Sequence, residues 1–470
     1  MKGLWSLVLI SLMSLIFTMV GNAAKEPVQR QIGLIKHDPS KTFNGYTLFA
    51  PKHYKSTYLI DMEGHVYNQW ESNYEPGQAV YLLENGNLLH CCFTTSGIFI
   101  GGGEGGHLEE FNWNGDLVWE WTWSDNEHFS HHDVEQLPNG NLLVMAVEYK
   151  TLEQALAAGF SEKGVRKKIV YPEYILEISR FGSRGYEIVW EWHIWDHLIQ
   201  DLDPTKENYG VVKDHPELLN CGVKYVPPFW NHGNSLAYNP ELDQIILSAR
   251  GQNEFWVIDH STTTREAAGH SGGKYGQGGD ILYRWGCSSQ YEAGEFRAVR
   301  RLFNQHDAQW VPPGYPGAGN ITVFNNGSGG QGYSEALELV PPVDKNGFYE
   351  KIKPGEAYGP KEPLWIYYNE ENPEAFYSSD LGGASRLPNG NTLICNGVDG
   401  QFLEVTQNHE VVWEYVNPIT DKPLKQGDPI PRDARSHPLN AVFKIHRYAP
   451  AFPAFKGKDM KPIKDSLIAK

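Results

Sequence analysis

Three histidines occupy the same position in three copies of a repeated segment. The segments begin at His132, His232 and His306, and each histidine opens a short strand-like run that ends at a turn. Near neutral pH an imidazole can act as a nucleophile, a general acid or base, or a metal ligand. Histidines that only order local loops would not keep one register, so the three predict a shared functional site.

Two further residues join this set by spacing. Asn234 follows His232 by two positions, which places it on the same face of an extended strand. Arg250 ends the next strand-like run, so antiparallel pairing brings it back beside His232. A guanidinium matches the oxygens of an oxyanion, and its charge disfavours a bound divalent metal. The set therefore predicts an anion pocket with no metal and no cofactor.

The elements that must position these residues form a longer repeat. Six strand-like segments end in an aromatic residue, at Trp70, Trp121, Trp192, Trp285, Tyr368 and Tyr415. Alternating strands precede most of them, and the Asn-Gly pairs at 85–86, 139–140 and 389–390 are typical of tight hairpin turns. Each unit reads as four strands. The sequence predicts an all-β, six-bladed β-propeller of four-stranded antiparallel blades over residues 45–450.

The two ends of this repeat predict how the ring closes. The first unit shows only three strands and lacks the leading one, whereas a spare strand-like run lies at 440–448. We expect this C-terminal strand to join the first blade, which would cover both sheet edges at the seam. The innermost strands of a propeller run in one direction along the central channel. Because the three histidines begin such strands, they should meet at one mouth of the channel.

The first residues predict an exported enzyme. One lysine precedes an apolar run over 4–20, which small residues follow directly, and this is the form of a signal peptide at 1–24. An uncleaved membrane anchor is the alternative. Residues 25–44 form an N-terminal extension and 451–470 a C-terminal tail. We expect a periplasmic or secreted protein with no membrane association after cleavage of the leader.

Composition excludes some classes of protein. The net charge of −17 argues against a nucleic-acid partner, which would need a basic face. The five cysteines are odd in number and contain no Cys-x-x-Cys pair, so neither a disulfide framework nor a thiolate metal site is indicated. The Gly-rich stretches at 101–106 and 272–279 lack the ending of a phosphate-binding loop and read as connections between blades.

The motifs resemble those of the arylsulfate sulfotransferase family of exported bacterial propeller enzymes. The resemblance is carried by the His132 segment, Asn231-His-Gly-Asn234, Gln305-His-Asp-Ala308 and the repeated Val-Trp-Glu-Trp strands. It spans essentially the whole mature chain. It implies transfer of a sulfuryl group from an aryl sulfate to a phenolic acceptor, through a covalent sulfohistidine and without a nucleotide sulfate donor.

The resemblance also implies roles for single residues. His306 resembles the nucleophile, while His132, His232, Asn234 and Arg250 resemble the sulfate-binding residues. Either His132 or His232 could be the general acid and base, and the sequence does not choose between them. This chain departs from the family's longer members, which carry an extra N-terminal β-rich domain used in dimerisation, so the sequence does not predict a dimer.

Several readings stay open at this level. Asp307 either orients an imidazole or points away from the site, and His131 reads as an ordinary loop residue. A metal-dependent hydrolase or lactonase could also use three histidines at a channel mouth. A non-catalytic binding propeller is the third alternative. Substrate specificity should lie in the long loops at 148–172 and 196–228, whose aromatic residues suit ring stacking.

Overall fold

The computed structural model describes residues 27–95, 99, 102–434 and 436–470. The predicted leader at 1–24 lies outside these residues. Six antiparallel sheets are arranged as a six-bladed β-propeller, which confirms the predicted fold. In each blade the first strand is innermost, and first strands of neighbouring blades pack against one another.

Each blade contains four strands, ordered from the channel outward. Blade 1 contains His446–Tyr448, Tyr46–Phe49, Ser56–Ile60 and Val66–Glu71; blade 2 contains Pro76–Leu82, Leu88–Phe93, Gly106–Phe111 and Leu117–Thr122; blade 3 contains His128–Gln136, Leu142–Glu148, Glu173–Phe181 and Gly185–His193. Blade 4 contains Gly233–Asn239, Gln244–Ala249, Glu254–Asp259 and Tyr283–Trp285; blade 5 contains His306–Trp310, Ile321–Asn325, Glu335–Leu339 and Trp365–Tyr367; blade 6 contains Gly383–Arg386, Thr392–Asn396, Gln401–Val405 and Val411–Val416.

Both ends of the chain contribute strands at the seam of the ring. The C-terminal strand His446–Tyr448 pairs antiparallel with Tyr46–Phe49, which confirms the predicted closure, although this strand is shorter than the predicted run at 440–448. The strand Gly33–His37 adds a fifth, outermost strand to blade 6 by pairing with Val411–Val416. That strand was not predicted. It covers an edge that would otherwise be open to pairing.

The repeated tryptophans explain why the blades keep their order. In every blade an outer-strand tryptophan donates its indole N–H to a backbone carbonyl of the next blade, at 2.7 to 3.3 Å. Each acceptor lies between the third strand of that blade and the start of its fourth. The donors and acceptors are Trp70 and Asn112, Trp119 and Gly185, Trp192 and Gly279, Trp285 and Pro360, Trp365 and Gln407, and Trp413 and Met62. Each such bond contributes about 1 kcal/mol and satisfies the one polar atom of a large apolar ring.

Helices are short and lie in the loops. The α-helices are Leu152–Ala157, Thr264–Ala267 and Phe296–Val299, and the 3-10 helices are Arg166–Lys168, Ile194–His197, Val212–Asp214, Arg250–Gln252, Ser288–Tyr291, Pro373–Ala375 and Pro453–Phe455. Two small sheets order the long loops: Lys150–Thr151 pairs with Ile169–Val170, and Leu198–Ile199 runs parallel to Leu219–Asn220. Within the described residues, no helix has the length and apolar character needed to cross a bilayer.

The innermost strands of blades 2 to 5 bulge near one mouth of the channel. His306 begins its strand and His232 directly precedes one, but His132 is the fifth residue of His128–Gln136, so the prediction that it begins its strand is wrong. The residues with positive φ there are Gln78 (110°), His132 (53°), His232 (47°) and Asp307 (55°). At each of these places the pairing with the second strand of the same blade shifts its register. A bulge re-aims side chains and is common beside functional sites. The same distortion therefore recurs at one mouth of the channel in blades 2 to 5.

Candidate functional site

The three histidines come together at this mouth. His132, His232, His306 and Arg250 all line one cavity of about 420 Å³. The rings of His132 and His232 lie 5.2 Å apart, centroid to centroid. The rings of His132 and His306 each lie about 6 Å from the ring of Phe443, centroid to centroid. Three imidazoles and one guanidinium thus share a space large enough for a small anion.

Hydrogen bonds fix the tautomer of His306. The amide nitrogen of Asn326 donates to the carbonyls of Ser378 and Leu381, both at 2.8 Å. The amide oxygen of Asn326 therefore faces Nδ1 of His306, at 2.7 Å, and Nδ1 must carry the proton. Nε2 keeps its lone pair, with the backbone N–H of Leu381 at a long 3.3 Å. This is the protonation pattern of a nucleophilic imidazole.

Burial and positive charge keep the three rings neutral. Burial, followed by Arg250, lowers the pKa of His306 to about 4. Burial, then Arg250, hold the pKa of His232 well below its usual value. Burial, then the neighbouring His131 and His232, do the same for the pKa of His132. A neutral imidazole can offer a lone pair or an N–H donor. Arg250 is then the cation that pairs with a bound anion.

Arg250 is held at the cavity by its backbone. It follows the second strand of blade 4, and its N–H donates to the carbonyl of His232 at 3.1 Å. Among the described residues its guanidinium has no hydrogen-bond or ion-pair partner, although the carboxylate of Asp380 lies near it in the same cavity. Burial lowers the pKa of Arg250, which remains a cation at any physiological pH. The guanidinium N–H groups of Arg250 are therefore available to an anion that enters the cavity.

His132 is linked to a second histidine and a carboxylate that the sequence analysis missed. Nδ1 of His132 lies 2.8 Å from Nδ1 of His131, and Nε2 of His131 lies 2.8 Å from Glu173. The other oxygen of Glu173 accepts the N–H of Gly233 at 2.5 Å. His131 and Glu173 are fully buried in their side chains. His131 is therefore no ordinary loop residue.

The backbone at Gly103 lies against the ring of His132. A Cβ atom at Gly103 would lie 1.8 Å from Cε1 and 1.9 Å from Nε2 of His132, and the φ of this residue is +83°. The carbonyl of Gly103 accepts the N–H of His132 at 3.2 Å. The prediction that the glycine-rich stretch at 101–106 connects two blades is wrong, because it leads from the second strand of blade 2 to the third strand of the same blade, Gly106–Phe111. At Gly103 it forms a wall of the cavity that only glycine can form.

Asn234 and Asp307 face away from the cavity. The amide of Asn234 donates to the carbonyl of Gln305 at 2.7 Å, just before His306, and Asn234 does not line the cavity. Its predicted contact with a sulfate stays a prediction, while its observed contact holds the start of the fifth inner strand. Asp307 points down the channel, where its carboxylate lies 3.3 Å from the ammonium of Lys444.

A buried ion cluster closes the channel below the cavity. Lys444 lies 2.8 Å from Asp133 and 3.3 Å from Asp307, so one ammonium joins blades 3 and 5 to the chain that closes blade 1. Asp133 also accepts the hydroxyl of Tyr81 at 2.6 Å. Nearby, burial and then Asp133 raise the pKa of Glu135 to about 8.

A larger groove opens beside the cavity. It has a volume of about 1230 Å³ and shares His232 and Arg250 with the smaller cavity. Its aromatic lining comes from the long loop after blade 3 and from a short helix before blade 5: Tyr225, Phe229, Trp230 and Phe296. The ring of Phe229 lies 4.2 Å from that of His232. Aromatic surface thus leads directly to the imidazoles.

One feature of the sequence could have predicted that Asn326 belongs to the site. Arg250 and Asn326 each come directly after the second strand of their blades, Gln244–Ala249 and Ile321–Asn325. Comparing this position across the repeat would have suggested Asn326 as a partner of the neighbouring histidine. Glu173 offered no such signal, because it comes from the third strand of blade 3, far from His131 along the chain.

Possible metal ligands cluster elsewhere. Among the described residues, two groups bring three ligand atoms within 4.8 Å of one another: His90, Cys92 and Glu109 in blade 2, and His197, His270 and Asp280 near blade 4. The three histidines of the cavity do not form such a group. All five cysteines are buried and free.

Comparisons with known proteins identify similar sequences. A family model described as Arylsulfotransferase (ASST) matches residues 31–424. Over 383 residues the chain is 24% identical to the arylsulfate sulfotransferase AssT of Escherichia coli, an alignment that covers 75% of this chain and 59% of that protein. The chain therefore spans less than two thirds of the length of this relative.

Solved structures share the fold only distantly. A protein of unknown function from Bacteroides caccae has a TM-score of 0.44 and 11% identity, covering 86% of this chain and 99% of that one. A virginiamycin B lyase from Staphylococcus aureus has a TM-score of 0.37 and 9% identity, covering 83% and 90%. These likenesses carry no conclusion about function.

Proposed function

Because the chain belongs to the arylsulfotransferase family, we propose that it moves a sulfuryl group from an aryl sulfate to a phenolic acceptor, through a sulfohistidine at His306 and without a nucleotide sulfate donor. The family match confirms the resemblance predicted from the motifs. One observation carries the proposal: Asn326 fixes the proton of His306 on Nδ1, inside a cavity that also holds the guanidinium of Arg250.

In the first half of the reaction, the lone pair on Nε2 of His306 attacks the sulfur atom. The bond between sulfur and the aryl oxygen breaks, and the phenolate oxygen takes its electron pair. In the second half, an acceptor phenol attacks the sulfur atom of the sulfohistidine and gives its proton to a general base, His132 or His232. The bond between sulfur and Nε2 breaks, and Nε2 regains its lone pair. Splitting one transfer into two steps at a positioned nucleophile lowers each barrier.

Arg250 supplies the charge that this transfer needs. Negative charge spreads over the sulfuryl oxygens during transfer, and donors held in place beforehand stabilise it strongly. The guanidinium has no other partner among the described residues, and His232 has no hydrogen bond to its ring there. Both line the small cavity and the large groove, so they lie where the sulfuryl and aryl parts of a donor would join.

The large groove suits the aryl parts of donor and acceptor. Its exposed rings, Tyr225 and Phe296, and the buried Phe229 offer stacking surfaces on the way to the cavity. Stacking between aromatic rings contributes about 0.5–1.5 kcal/mol beyond the burial of area. This predicts a preference for phenyl sulfates over alkyl sulfates, without naming the natural donor or acceptor.

The test combines turnover with capture of the intermediate. The protein is incubated with 4-nitrophenyl sulfate, with and without phenol, and phenyl sulfate formation is measured. Without acceptor, the intact protein should gain the mass of one SO₃ group, located on His306 by peptide mapping at alkaline pH. His306→Ala should lose both signals. His409→Ala, which changes a histidine at a turn in blade 6, serves as the matched control.

The competing functions predict other results. A metal-dependent hydrolase would release nitrophenol without forming phenyl sulfate and would lose activity on treatment with a chelator. A binding propeller would turn over no phenyl sulfate at all. Retained turnover in His306→Ala would exclude His306 as the nucleophile.

We also propose that the protein acts in the periplasm or outside the cell, as the apolar leader at 1–24 predicts. Expression of the full chain followed by fractionation and N-terminal sequencing tests this. A protein that keeps its first residues and stays with the membrane fraction would contradict it.

A further inference from the structure

The structure contains a carboxylate and two histidines in a line that ends at the cavity. Glu173 contacts His131, His131 contacts His132, and His132 lines the cavity. Both nitrogen-to-partner distances are 2.8 Å, which requires one shared proton at each contact. His232 has no comparable chain, because its ring has no hydrogen bond among the described residues.

We propose that Glu173 and His131 form a proton relay that makes His132, not His232, the general acid and base of the transfer. This inference rests on the proposed function. His132 is the catalytic residue of the three, while His131 and Glu173 are positioning residues that act through it.

The relay has two states that differ in the location of one proton. In the first, His131 is an imidazolium that donates Nε2–H to the carboxylate of Glu173 and Nδ1–H to Nδ1 of His132, whose Nε2–H points to the cavity. In the second, His131 is neutral and keeps only Nε2–H, and His132 carries its proton on Nδ1. His132 is neutral in both states.

These states balance the two half-reactions. As the bond from sulfur to the aryl oxygen breaks, Nε2 of His132 gives its proton to the departing phenolate oxygen, and Nδ1 takes the proton from His131. In the second half, the acceptor phenol gives its proton to Nε2 of His132, and Nδ1 of His132 returns a proton to His131. The acceptor oxygen then forms its bond to sulfur while the bond between sulfur and His306 breaks.

The surroundings explain why a relay is needed. Burial, followed by the neighbouring His131 and His232, holds the pKa of His132 well below its usual value, so a second proton on its own ring is strongly disfavoured. A proton stored on His131 instead lies next to Glu173, a fully buried carboxylate. Burial raises the pKa of Glu173, and His131 counters this rise. The pair thus keeps the positive charge one residue away from the crowded cavity.

Structure also limits how His132 can move. The backbone of Gly103 lies against one face of its ring, and the ring of Phe443 lies 6.0 Å away on the channel side. The ring therefore keeps Nδ1 toward His131, and Nε2 is the atom left for the cavity. His132 therefore exchanges protons with the cavity through Nε2 and with His131 through Nδ1.

The experiment compares two donors that differ in their leaving group. The donors are 4-methylphenyl sulfate, whose phenol resembles tyrosine with a pKa of about 10, and 4-nitrophenyl sulfate, whose phenolate leaves readily without a proton. In Glu173→Gln, kcat/KM should fall about 100-fold with the first donor and less than about 5-fold with the second, since general acid catalysis contributes roughly 10²–10⁴-fold. The ratio of the two values within one variant does not depend on how much protein is folded.

Matched variants complete the test. Glu177→Gln changes another carboxylate of the same strand, which pairs with His260 away from the cavity, and should leave the ratio unchanged. His131→Gln should reproduce the selective loss, and the double variant should lose no more than either single one. An equal fall with both donors in Glu173→Gln would overturn the relay. If the wild-type protein transferred sulfuryl groups from neither donor, the proposed function itself would fail.

Discussion

The depressed pKa of His306 predicts an unusually acid-tolerant nucleophile. Burial, followed by Arg250, sets this pKa at about 4 instead of the ordinary 6.5. At pH 5 a histidine with pKa 4 is about 90% neutral, whereas one with pKa 6.5 is about 3% neutral, a difference of roughly 30-fold. We therefore expect kcat/KM for 4-nitrophenyl sulfate to stay nearly constant from pH 7 to 5 and to halve near pH 4.

The choice of donor isolates this group. Nitrophenolate needs little protonation, so the acid limb of kcat/KM reports the free nucleophile and not the relay through His132. Samples taken at each pH are quenched in alkali before nitrophenolate is measured. Aliquots returned to neutral pH must recover full activity, which separates titration from unfolding.

The direction in which the pKa of His306 is shifted predicts how the pH profile of an Arg250 variant should change. A lowered pKa means that the neutral, reactive form persists as pH falls, and activity is lost only through the folded-state pKa. Since Arg250 is the main charge that lowers it, Arg250→Gln should move the acid limb upward, toward 6.5, in addition to lowering activity at every pH. An acid limb near 6.5 in the wild-type protein would refute the assignment of His306 as a buried, neutral nucleophile.

Three further outcomes follow from contacts described above. Gly103→Ala should lower turnover about 100-fold by displacing the ring of His132, as expected for a misplacement of about 1 Å, whereas Gly140→Ala, with a similar positive φ and open space around it, should leave turnover unchanged. Lys444→Met should lower the free energy of unfolding by about 3–5 kcal/mol in a denaturant titration, because two buried carboxylates lose their partner, and amide substitutions at both should restore part of it. Combined replacement of Tyr225 and Phe296 by Ala should raise KM for aryl donors about 10-fold, with kcat nearly unchanged in steady-state kinetics.

The fold could be predicted because its signals are local and repeated. Each outer-strand tryptophan makes the same hydrogen bond to the next blade, so an aromatic strand ending recurs once per blade along the sequence. Asn-Gly pairs mark hairpins at fixed places in several units. The strand Gly33–His37 carries neither signal, and its place on blade 6 depends on an open edge far along the chain.

The site could be predicted only in part, because the inner strands bulge where the site lies. Strict alternation places adjacent residues on opposite faces, which would separate His131 from His132. The positive φ at His132 brings the two rings to within hydrogen-bonding distance instead. The same rule placed Asn234 on the face of His232, and the bulge there turns its amide toward Gln305.

Blades 4 and 5 carry different residues at one equivalent backbone position, and the two residues give the neighbouring histidines different properties. The residue after the second strand is Arg250 in blade 4 and Asn326 in blade 5. Burial, followed by the cation at this position, holds the pKa of the neighbouring His232 well below its usual value. No described residue fixes the tautomer of that ring, which suits the binding of an anion. An amide at the same position fixes the proton of His306 on Nδ1, so that Nε2 carries the lone pair, whose one contact among the described residues is the long hydrogen bond from the N–H of Leu381. The residue beside each histidine is therefore the reason why we propose His306 in blade 5, and not His232 in blade 4, as the nucleophile.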